Sequence, residues 1–346
     1  MRRLSTRVLI EGKEVEITDA SLNKRGGLAG NQFNFTVPGD DVSFRKYWNK
    51  EVTFFLHKDD AYPLFRGRVI NTNIVDTYKV KFTATDALGY LGGHHKAQVT
   101  LNDDNNVDGL TLGGAIIKLI TMSSLQNIVG TDFIGDSSPI ISTTVPPIRG
   151  TQSIISIIKR LLPLAINTDK DIPRENILMV KDDGSKSQLM ITLQPDLDSS
   201  LPVYKFNKSN IVSFKVSNRE TPTTVVVTGK TQDTNVTFRH ESAASALGEN
   251  FYSVTNAQLK SKAECQDFAA KLFEANLKDQ YEYSLASYYG AYLEENDVIH
   301  ITEEDSDVNG TFRVVGKSIV VKPNQYQVTL SINKRPPILA QFLEGN

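Results

Sequence analysis

The chain has 346 residues, of which 40% are hydrophobic and 23% are charged, and its net charge at pH 7 is −2. A chain of this length is expected to form roughly two or three domains with buried cores. The small net charge and the scattered basic pairs argue against specific binding to nucleic acid or to anionic lipid, because both need clustered lysine and arginine.

The cysteine content limits the chemistry further. Cys265 is the one cysteine in the sequence, which excludes an internal disulfide, a CxxC zinc site and an iron–sulfur cluster. The sequence contains no apolar run of about 18 residues, and its N-terminal segment lacks the apolar core of a signal peptide. We therefore expect no membrane-spanning segment and no Sec export, and we expect synthesis in a reducing compartment.

The N-terminal region alternates between apolar and polar residues with a period of two. Phe33–Val37 and Val80–Ala84 show this alternation clearly, and Glu11-Gly12-Lys13 is typical of a hairpin turn. The pattern predicts about five or six short antiparallel strands in a small barrel or sandwich. We place this first β-barrel domain at residues 1–95.

The middle region changes to helical spacing after the polar segment 100–109. Residues 110–125 and 151–164 carry apolar residues at intervals of three and four, and Pro163 is expected to end the second helix. Two strands follow, joined by the turn Asp182-Asp183-Gly184. This region, residues 96–208, is predicted to be a small α+β domain.

The C-terminal region, residues 209–346, returns to strands and contains one helix at about residues 257–280. Ser261 and Glu264 have the spacing of a capping box, in which each side chain satisfies a free backbone N–H of the other residue. Cys265 lies on the apolar face of this helix with Phe268, Ala269 and Leu272. We therefore interpret Cys265 as a buried small apolar residue and not as a nucleophile. The fold class is mainly β, with two antiparallel β-barrel domains on either side of the α+β insert.

The stretch DSDVNGTFRVVGKS, residues 305–318, imitates two ligand-binding motifs. An EF-hand loop needs a ligand at position 9 and a glutamate at position 12, where this chain has Arg313 and Gly316. A P-loop needs a helix after its GK pair, whereas SIVVK is typical of a strand. The nucleotide-binding hypothesis is rejected, and a weak calcium site would have to use Glu303, Glu304, Asp305 and Asp307.

We interpret this stretch instead as a β-hairpin with an acidic loop at Glu303–Gly310. Asn309-Gly310 is expected to supply the left-handed backbone of the turn, and Gly316 is expected to mark a bulge or a close backbone approach. Whether the acidic loop binds an ion stays open.

Other fragments imitate catalytic or metal sites without completing them. Gly135-Asp136-Ser137 and the pair Asp297 and His300 imitate a serine hydrolase, but they lie outside any alternating βαβ pattern. His94-His95 diverge on an extended backbone, and neither His57 nor His240 has a partner at ligand spacing. We predict no catalytic, cofactor-binding or metal-binding residue, no cofactor, and no enzyme activity.

Exposed aromatic residues would favour a different function. A carbohydrate-binding adhesin needs an aromatic platform on its surface. The candidates here are Trp48 and the pair Tyr288-Tyr289, which we interpret as packing residues.

Several phrases of the sequence resemble the baseplate hub family of tailed bacteriophages, the late-control-protein-like double-barrel hubs. In the N-terminal region they are PLFRGRVINTNI (63–74) and VKFTATDALGYL (80–91), and in the middle region SIISIIKRLLPLAI (153–166). In the C-terminal region they are the helix segment 253–285 and the hairpin YLEENDVIHITEEDSDVNGTFRVVGKSIV (292–320). The chain departs from the family at Asn296, where the family usually has glycine.

This resemblance implies a structural role in the virion. Such hubs are homotrimers in which each subunit contributes two related barrels, so that a pseudo-sixfold ring joins the hexameric tail tube to a trimeric spike. The implied partners are the tail tube protein, the spike protein, other baseplate proteins and, as a further candidate, a tape-measure protein. DNA would only pass through the channel. The implied location is the tail baseplate, after synthesis in the cytoplasm of the bacterial host.

Alternatives stay open at this point. One is a hub-like tail-tip protein of a non-contractile phage, or its equivalent in a contractile injection device. An enzyme alternative is a tail-associated cell-wall hydrolase. The phage, the host and the residues that line the channel or contact the spike cannot be derived from the sequence.

Overall fold

The structure is a computed structural model. It describes residues 6–25, 28, 30–39, 44–76, 78–94, 97–123, 125–134, 148–162, 176–193, 195, 197, 200–218, 222–229, 235–239, 241, 244–245, 248–255, 259–278, 281–323 and 325–332. The chain divides into two compact units. Unit 1 comprises Met1–Ser213 and Leu285–Ser331, and unit 2 comprises Phe214–Ser284 and Ile332–Asn346.

The described residues form mainly β-strands, which confirms the fold class. The first strands are β1 (Arg7–Ile10), β2 (Lys13–Val15), β3 (Asp19–Arg25), β4 (Gln32–Pro38), β5 (Glu51–Phe55), β6 (Phe65–Asp76) and β7 (Lys79–Thr85). Next come β8 (Gln98–Leu101), β9 (Gly150–Ser153), β10 (Asn176–Asp182), β11 (Ser187–Leu193), β12 (Tyr204–Phe206) and β13 (Ser213–Asn218). The last are β14 (Thr224–Thr228), β15 (Val236–Arg239), β16 (Phe251–Thr255), β17 (Tyr281–Ser287), β18 (Val298–Glu303), β19 (Val308–Lys322) and β20 (Gln325–Ile332). The helices are α1 (Ala87–Gly89), α2 (Leu112–Thr121), α3 (Ile154–Leu161) and α4 (Lys262–Lys278).

One large sheet dominates unit 1. Its strands follow the order β20-β19-β3-β4-β7-β6-β5-β1-β2, with β18 paired to β19 and β12 paired in parallel to β18. Strand β19 pairs with β3 over six residues, from Gly316 opposite Arg25 to Val321 opposite Ala20. The C-terminal strands therefore complete the sheet that the N-terminal strands begin. The three domains at 1–95, 96–208 and 209–346 stay a prediction.

An aromatic core holds the N-terminal strands together. Phe33 and Phe35 alternate with polar residues along β4, and both are buried. The Phe33 ring stacks on Phe54 at 4.6 Å between centroids, and the Phe35 ring stacks on Phe82 at 5.1 Å. Each fully buried phenylalanine contributes about 2 kcal/mol of hydrophobic free energy. The period-two prediction is confirmed, because one face of each strand packs into this core.

The predicted α+β insert is also present in unit 1. Thr111 and Ser153 cap helices α2 and α3 with their side-chain oxygens. The apolar stripe predicted for the second helix is buried, namely Ile154, Ile158, Leu161 and Leu162. Pro163 lies outside the described residues.

A hairpin of β10 and β11 follows this helical pair. Its turn lies at the predicted place, where the Asp183 carboxylate accepts backbone N–H bonds from Ser185 and Lys186, both at 2.7 Å. Gly184 adopts φ of +94°, a backbone conformation that favours glycine. The sequence prediction of this turn is confirmed.

Unit 2 contains the three-stranded sheet β15-β14-β16 and helix α4. The capping box is formed: the Glu264 N–H donates to Ser261 Oγ at 3.2 Å, and the Ser261 N–H donates to Glu264 Oε2 at 3.3 Å. Cys265 and Ala269 pack with Val225 into a buried cluster. Burial raises the pKa of the Cys265 thiol, which agrees with the predicted packing role.

The predicted hairpin around residues 303–310 is present, but its turn differs in detail. Asp307 has the left-handed backbone, with φ of +52°. Asn309 and Gly310 belong to β19 and pair with Thr302 and Ile301, so their assignment to the turn was wrong. Residue 316 continues the regular register between β19 and β3 without a bulge. The reason is that residues 304–307 form the turn, so Asn309 and Gly310 are the second and third residues of β19.

Candidate interaction site

A cavity of about 760 Å³ opens in unit 1. Strand β3 contributes Lys24 to its lining, β6 contributes Arg66, and the hairpin β10–β11 contributes Met179 and Met190. Segment 292–297, between β17 and β18, closes another side. We call this recess the β3–β6 cavity.

A buried lysine fixes the segment beside the cavity. Lys317 on β19 is 4% exposed. Its Nζ donates to the carbonyl oxygen of Ala291 at 2.7 Å, to that of Leu293, and to Glu294 Oε1 at 3.4 Å. Burial, reinforced by the like charge of Lys24, lowers the pKa of Lys317 to about 7. This lysine comes from the GKS triplet that imitates a P-loop, and it binds backbone carbonyls of its own chain.

Glu294 links two lysines. Its carboxylate oxygens accept from Lys24 Nζ at 2.8 and 2.9 Å. Burial would raise the pKa of Glu294, but the charges of Lys24 and Lys317 outweigh burial and lower it. The trio of Lys24, Glu294 and Lys317 thus ties β3 and β19 to segment 292–297 through charge-assisted hydrogen bonds.

A second buried carboxyl group, Asp86, lines the cavity at the end of β7. Asp86 is 2% exposed and caps helix α1, with Oδ1 accepting from the Gly89 N–H at 3.0 Å. Its other oxygen, Oδ2, is buried, and Asn31 hydrogen-bonds to this carboxyl group from its backbone and from its side chain. Burial raises the pKa of Asp86 to about 6, against the opposing influence of the Gly89 N–H and the charge of Lys24.

Arg66 anchors the hairpin that forms one wall. Its Nε donates to Asp182 Oδ2 at 2.5 Å, its Nη1 to Glu51 Oε1 at 2.6 Å, and its Nη2 to the Gly184 carbonyl at 2.9 Å. All the donors and acceptors of this cluster come from β5, β6 and the β10–β11 hairpin. The wall is therefore held by charge-assisted hydrogen bonds from one guanidinium group to two different carboxylates.

Aromatic side chains surround the cavity. Tyr62 is 65% exposed, Tyr292 is 52% exposed, and Phe133 is 39% exposed. The Tyr292 hydroxyl donates to the Asp60 carboxylate at 2.9 Å. Burial, together with the Asp60 carboxylate, raises the pKa of Tyr292. His57, for which the sequence suggested no partner, packs its ring against that of Tyr292, with 6.5 Å between centroids.

Asn296 has the conformation that glycine would adopt. Its φ is +74°, its N–H donates to the Val314 carbonyl at 2.9 Å, and its Oδ1 accepts from Arg313 Nη1 at 3.4 Å. Asparagine tolerates the left-handed region better than other residues with a Cβ. The departure from glycine at this turn is therefore compatible with its geometry.

The surface aromatics differ from the prediction. Trp48, Tyr288 and Tyr289 are each at least half exposed, so their interpretation as packing residues was wrong. Trp48 lies in the connection before β5, and Tyr288 and Tyr289 lie in the connection after β17.

Several sequence motifs produce no site in the described part of the chain. No group of three or more His, Cys, Asp or Glu residues within that part could hold a metal ion. Asp297 accepts the Glu294 N–H at 2.7 Å, and His300 lies in β18 opposite Thr311. Gly135-Asp136-Ser137, His95, His240 and the His94 side chain lie outside the described residues. None of the helices described has the length and apolar character required to cross a membrane.

The sequence reasoning missed Lys24, Asp86, Glu294 and Lys317. Asp86 could have been suspected from its place directly after a strand and before the apolar pair Ala87-Leu88. Lys317 carried a misleading signal, because it stood in an apparent nucleotide-binding motif.

The comparisons with known proteins identify the class of fold. No family model matches the chain, and no curated protein matches it. Solved structures do match it, and the fold is that of bacteriophage tail proteins.

The individual matches cover almost the whole chain. The tail protein from Neisseria meningitidis MC58 has a TM-score of 0.68 and 12% identity, and the match covers 99% of both chains. The 43 kDa tail protein of prophage MuSo2 from Shewanella oneidensis has a TM-score of 0.65 and 10% identity, with 97% of this chain and 98% of that chain covered.

A third match comes from a secretion system. The E. coli c3393 protein is described as a component of the type VI secretion system with structural similarity to the T4 tail proteins gp27 and gp5. Its TM-score is 0.54 and its identity 9%, and the match covers 96% of this chain and 77% of that chain.

Proposed function

We propose that this protein is a structural hub of a phage tail baseplate. In this proposal it forms a homotrimeric, pseudo-sixfold ring that joins the hexameric tail tube to a trimeric spike and surrounds part of the DNA channel. The observation that carries the proposal is the fold, which two tail proteins share over nearly their full length. The proposed location is the virion tail, and the proposed partners are the tube, the spike and other baseplate proteins.

The charge of the chain supports a conduit role. A channel wall that gripped phosphates would need dense lysine and arginine and would slow the passage of DNA. This chain has 38 basic and 40 acidic residues. Its near balance suits a channel through which DNA passes without being retained, and we propose no enzymatic role.

A contractile injection device is the second candidate. It is favoured by the similarity to a component of the type VI secretion system, which is itself similar to both gp27 and gp5. The location and partners would then belong to an injection apparatus, while the trimeric hub role would be the same. A tail-tip role in a non-contractile phage has no comparable observation in its favour.

The oligomeric state tests the hub proposal. We expect the purified full chain to run as a trimer in size-exclusion chromatography with light scattering, and electron micrographs to show rings with threefold or pseudo-sixfold symmetry. Co-expression with the neighbouring tube and spike genes should give a complex that purifies as one species. A chain that stays monomeric at all concentrations and never joins particles would contradict the proposal.

A hydrolase assay distinguishes the structural hub proposal from the alternative of a cell-wall hydrolase. Purified chain at micromolar concentration is expected to leave peptidoglycan turbidity unchanged, with lysozyme as the positive control. Clearing that is lost on substitution of a single carboxylate or histidine would replace the structural proposal with an enzymatic one.

A further inference from the structure

We propose that residues 290–297 form a pH-dependent strap, which Lys317 holds against β3 and β19 while its amine is neutral and releases more readily once the amine is protonated. The inference rests on the burial of Lys317, on its two carbonyl acceptors in the strap, and on a carboxylate that it shares with Lys24. It goes beyond the hub role, because it concerns a conformational change within the single chain.

The strap lies between β17 and β18 and contains no helix or strand. Its Asn296 N–H donates to the Val314 carbonyl of β19, and the Val314 N–H donates to the Asp297 carbonyl, both at 2.9 Å. Lys317, further along the same strand, adds its two carbonyl bonds nearer the start of the strap. A short segment that is held by few bonds can open while the sheet beside it stays folded.

The geometry at Lys317 matches a neutral amine. Its Nζ donates to the carbonyls of Ala291, at 2.7 Å, and Leu293, whereas Glu294 Oε1 lies at 3.4 Å. An ammonium group has three N–H donors, and the neutral amine keeps two of them. Both carbonyl bonds are therefore retained when Lys317 loses its proton, and the third proton of the ammonium group is left with the more distant carboxylate oxygen.

One carboxylate has to balance two lysines. Glu294 accepts from Lys24 Nζ through both of its oxygens, at 2.9 and 2.8 Å, so its charge serves mainly that lysine. Burial and the like charge of Lys24 disfavour the ammonium form of Lys317 and lower its pKa to about 7. In the closed strap, Lys317 therefore changes its charge close to neutral pH.

The remaining charged groups around Lys317 come from the strap and from the strands packed against it. Glu294 and Asp297 on the strap oppose the lowering of the Lys317 pKa without cancelling it. The others are Arg25 on β3 and Glu295 on the strap, which line a small recess together with Lys317, Lys181 on β10, whose charge acts on Asp297, and Arg313 on β19, which donates to Asn296.

The direction of the pH effect follows from linkage between proton binding and release of the strap. Release exposes Lys317 to water, where its pKa returns toward the ordinary value of 10.5. The released form then binds the proton more tightly than the closed form, so a fall in pH favours release. The equilibrium constant for release should rise about tenfold for each pH unit from about pH 10 to about pH 7, and it should level off below that, where both forms are protonated.

Hydrogen–deuterium exchange of the purified full chain tests the strap. Mass spectrometry follows the strap amides from pH 9 to pH 6, with labelling times scaled to the intrinsic exchange rate at each pH. We expect the protection of these amides to fall about 50-fold from pH 9 to pH 7, and by less than about threefold from pH 7 to pH 6. Protection that stays constant over the whole range would overturn the proposal.

Lys317→Met assigns the response to this lysine. The variant keeps a long side chain that cannot bind a proton, so the protection of the strap should not depend on pH between 6 and 9, even where its absolute level is lower. Lys322→Met, at an exposed lysine of the same strand, is the matched control and should keep the response of the original chain. An equal response in Lys317→Met and the original chain would show that another group is responsible and would sink the assignment.

Lys24→Met gives a second test, which decides if Lys317→Met fails to fold. Removal of the like charge raises the pKa of Lys317, so the levelling of the response should begin at a higher pH than in the original chain. A pH of levelling that does not move would overturn the proposal. A chain that shows the strap response but stays monomeric would contradict only the hub proposal, and a trimer without the response would contradict only the strap.

Discussion

The aromatic core of the first sheet and the β3–β6 cavity lie in the same unit but differ in the chemistry of their buried side chains, which are apolar in the core and partly charged at the cavity. In the core, Phe33, Phe54 and Phe65 contact one another and expose almost nothing to water. Asp86 in the cavity lining and Lys317 beside the cavity are buried with charges that burial disfavours. The apolar core adds to stability, whereas burying the charges of Asp86 and Lys317 opposes it.

The largest expected effect tests the core. Phe33→Ala should lower the free energy of unfolding by about 3 to 5 kcal/mol, because the ring loses its burial and leaves a cavity. Denaturant unfolding followed by circular dichroism measures the change. Val75→Ala, at an exposed apolar residue, is the matched control and should stay within about 0.5 kcal/mol. A loss below about 1 kcal/mol for Phe33→Ala would show that the core can collapse around the missing ring.

The second expected effect depends on pH. The pKa of Asp86 is raised to about 6 by folding, so the folded chain holds this proton more tightly than the unfolded chain does. Ionisation of Asp86 therefore lowers the free energy of unfolding as pH rises from about 4 to about 6, and this loss of stability is complete above pH 6. Asp86→Asn should gain stability relative to the original chain across this window, by about 3 kcal/mol in total.

Unfolding curves of both chains at pH 4.5, 6 and 8 check this effect. The informative quantity is the difference between the two chains, because other groups titrate equally in both. A difference that does not change between pH 4.5 and pH 8 would mean that Asp86 is not buried as a charge.

The third effect tests the linked lysines. Glu294→Gln removes the carboxylate between Lys24 and Lys317 and leaves the buried Lys317 without its anionic partner. Loss of one member of a buried pair costs about 3 to 5 kcal/mol, and the partial exposure of Glu294 reduces the expected loss to about 2 kcal/mol. Thermal or urea unfolding measures it, with Glu304→Gln in the exposed hairpin loop as the control. Equal stability of the two variants would argue that water replaces the carboxylate.

The smallest effect tests the aromatic residues around the cavity. Tyr292→Phe removes the hydroxyl that donates to Asp60 but keeps the ring, so the expected loss is about 0.5 kcal/mol. Urea unfolding should place this variant close to the original chain. A loss above about 2 kcal/mol would mean that these residues are part of the stabilising structure, and the contrast between core and cavity would weaken.

Local patterns in the sequence predicted the parts of the fold that depend on neighbouring residues. The alternation along β4 and β7, the turn at Asp183 and the capping box of Ser261 and Glu264 are confirmed because each depends on residues a few positions apart. The turn predicted at Asn309-Gly310 was wrong because residues 304–307 form the turn, and pairing with β18 places Asn309 and Gly310 inside β19.

The sequence by itself determined that the chain is mainly β and that an α+β insert follows the first strands. Only the tertiary structure decided that β19 pairs with β3 and that Lys24 meets Glu294, a residue 270 positions away. The physical reason is that strand periodicity is a local property of the side chains, whereas a cavity depends on which distant strands become neighbours. The charges of Asp86 and Lys317 acquire their unusual environment only when those strands bury them.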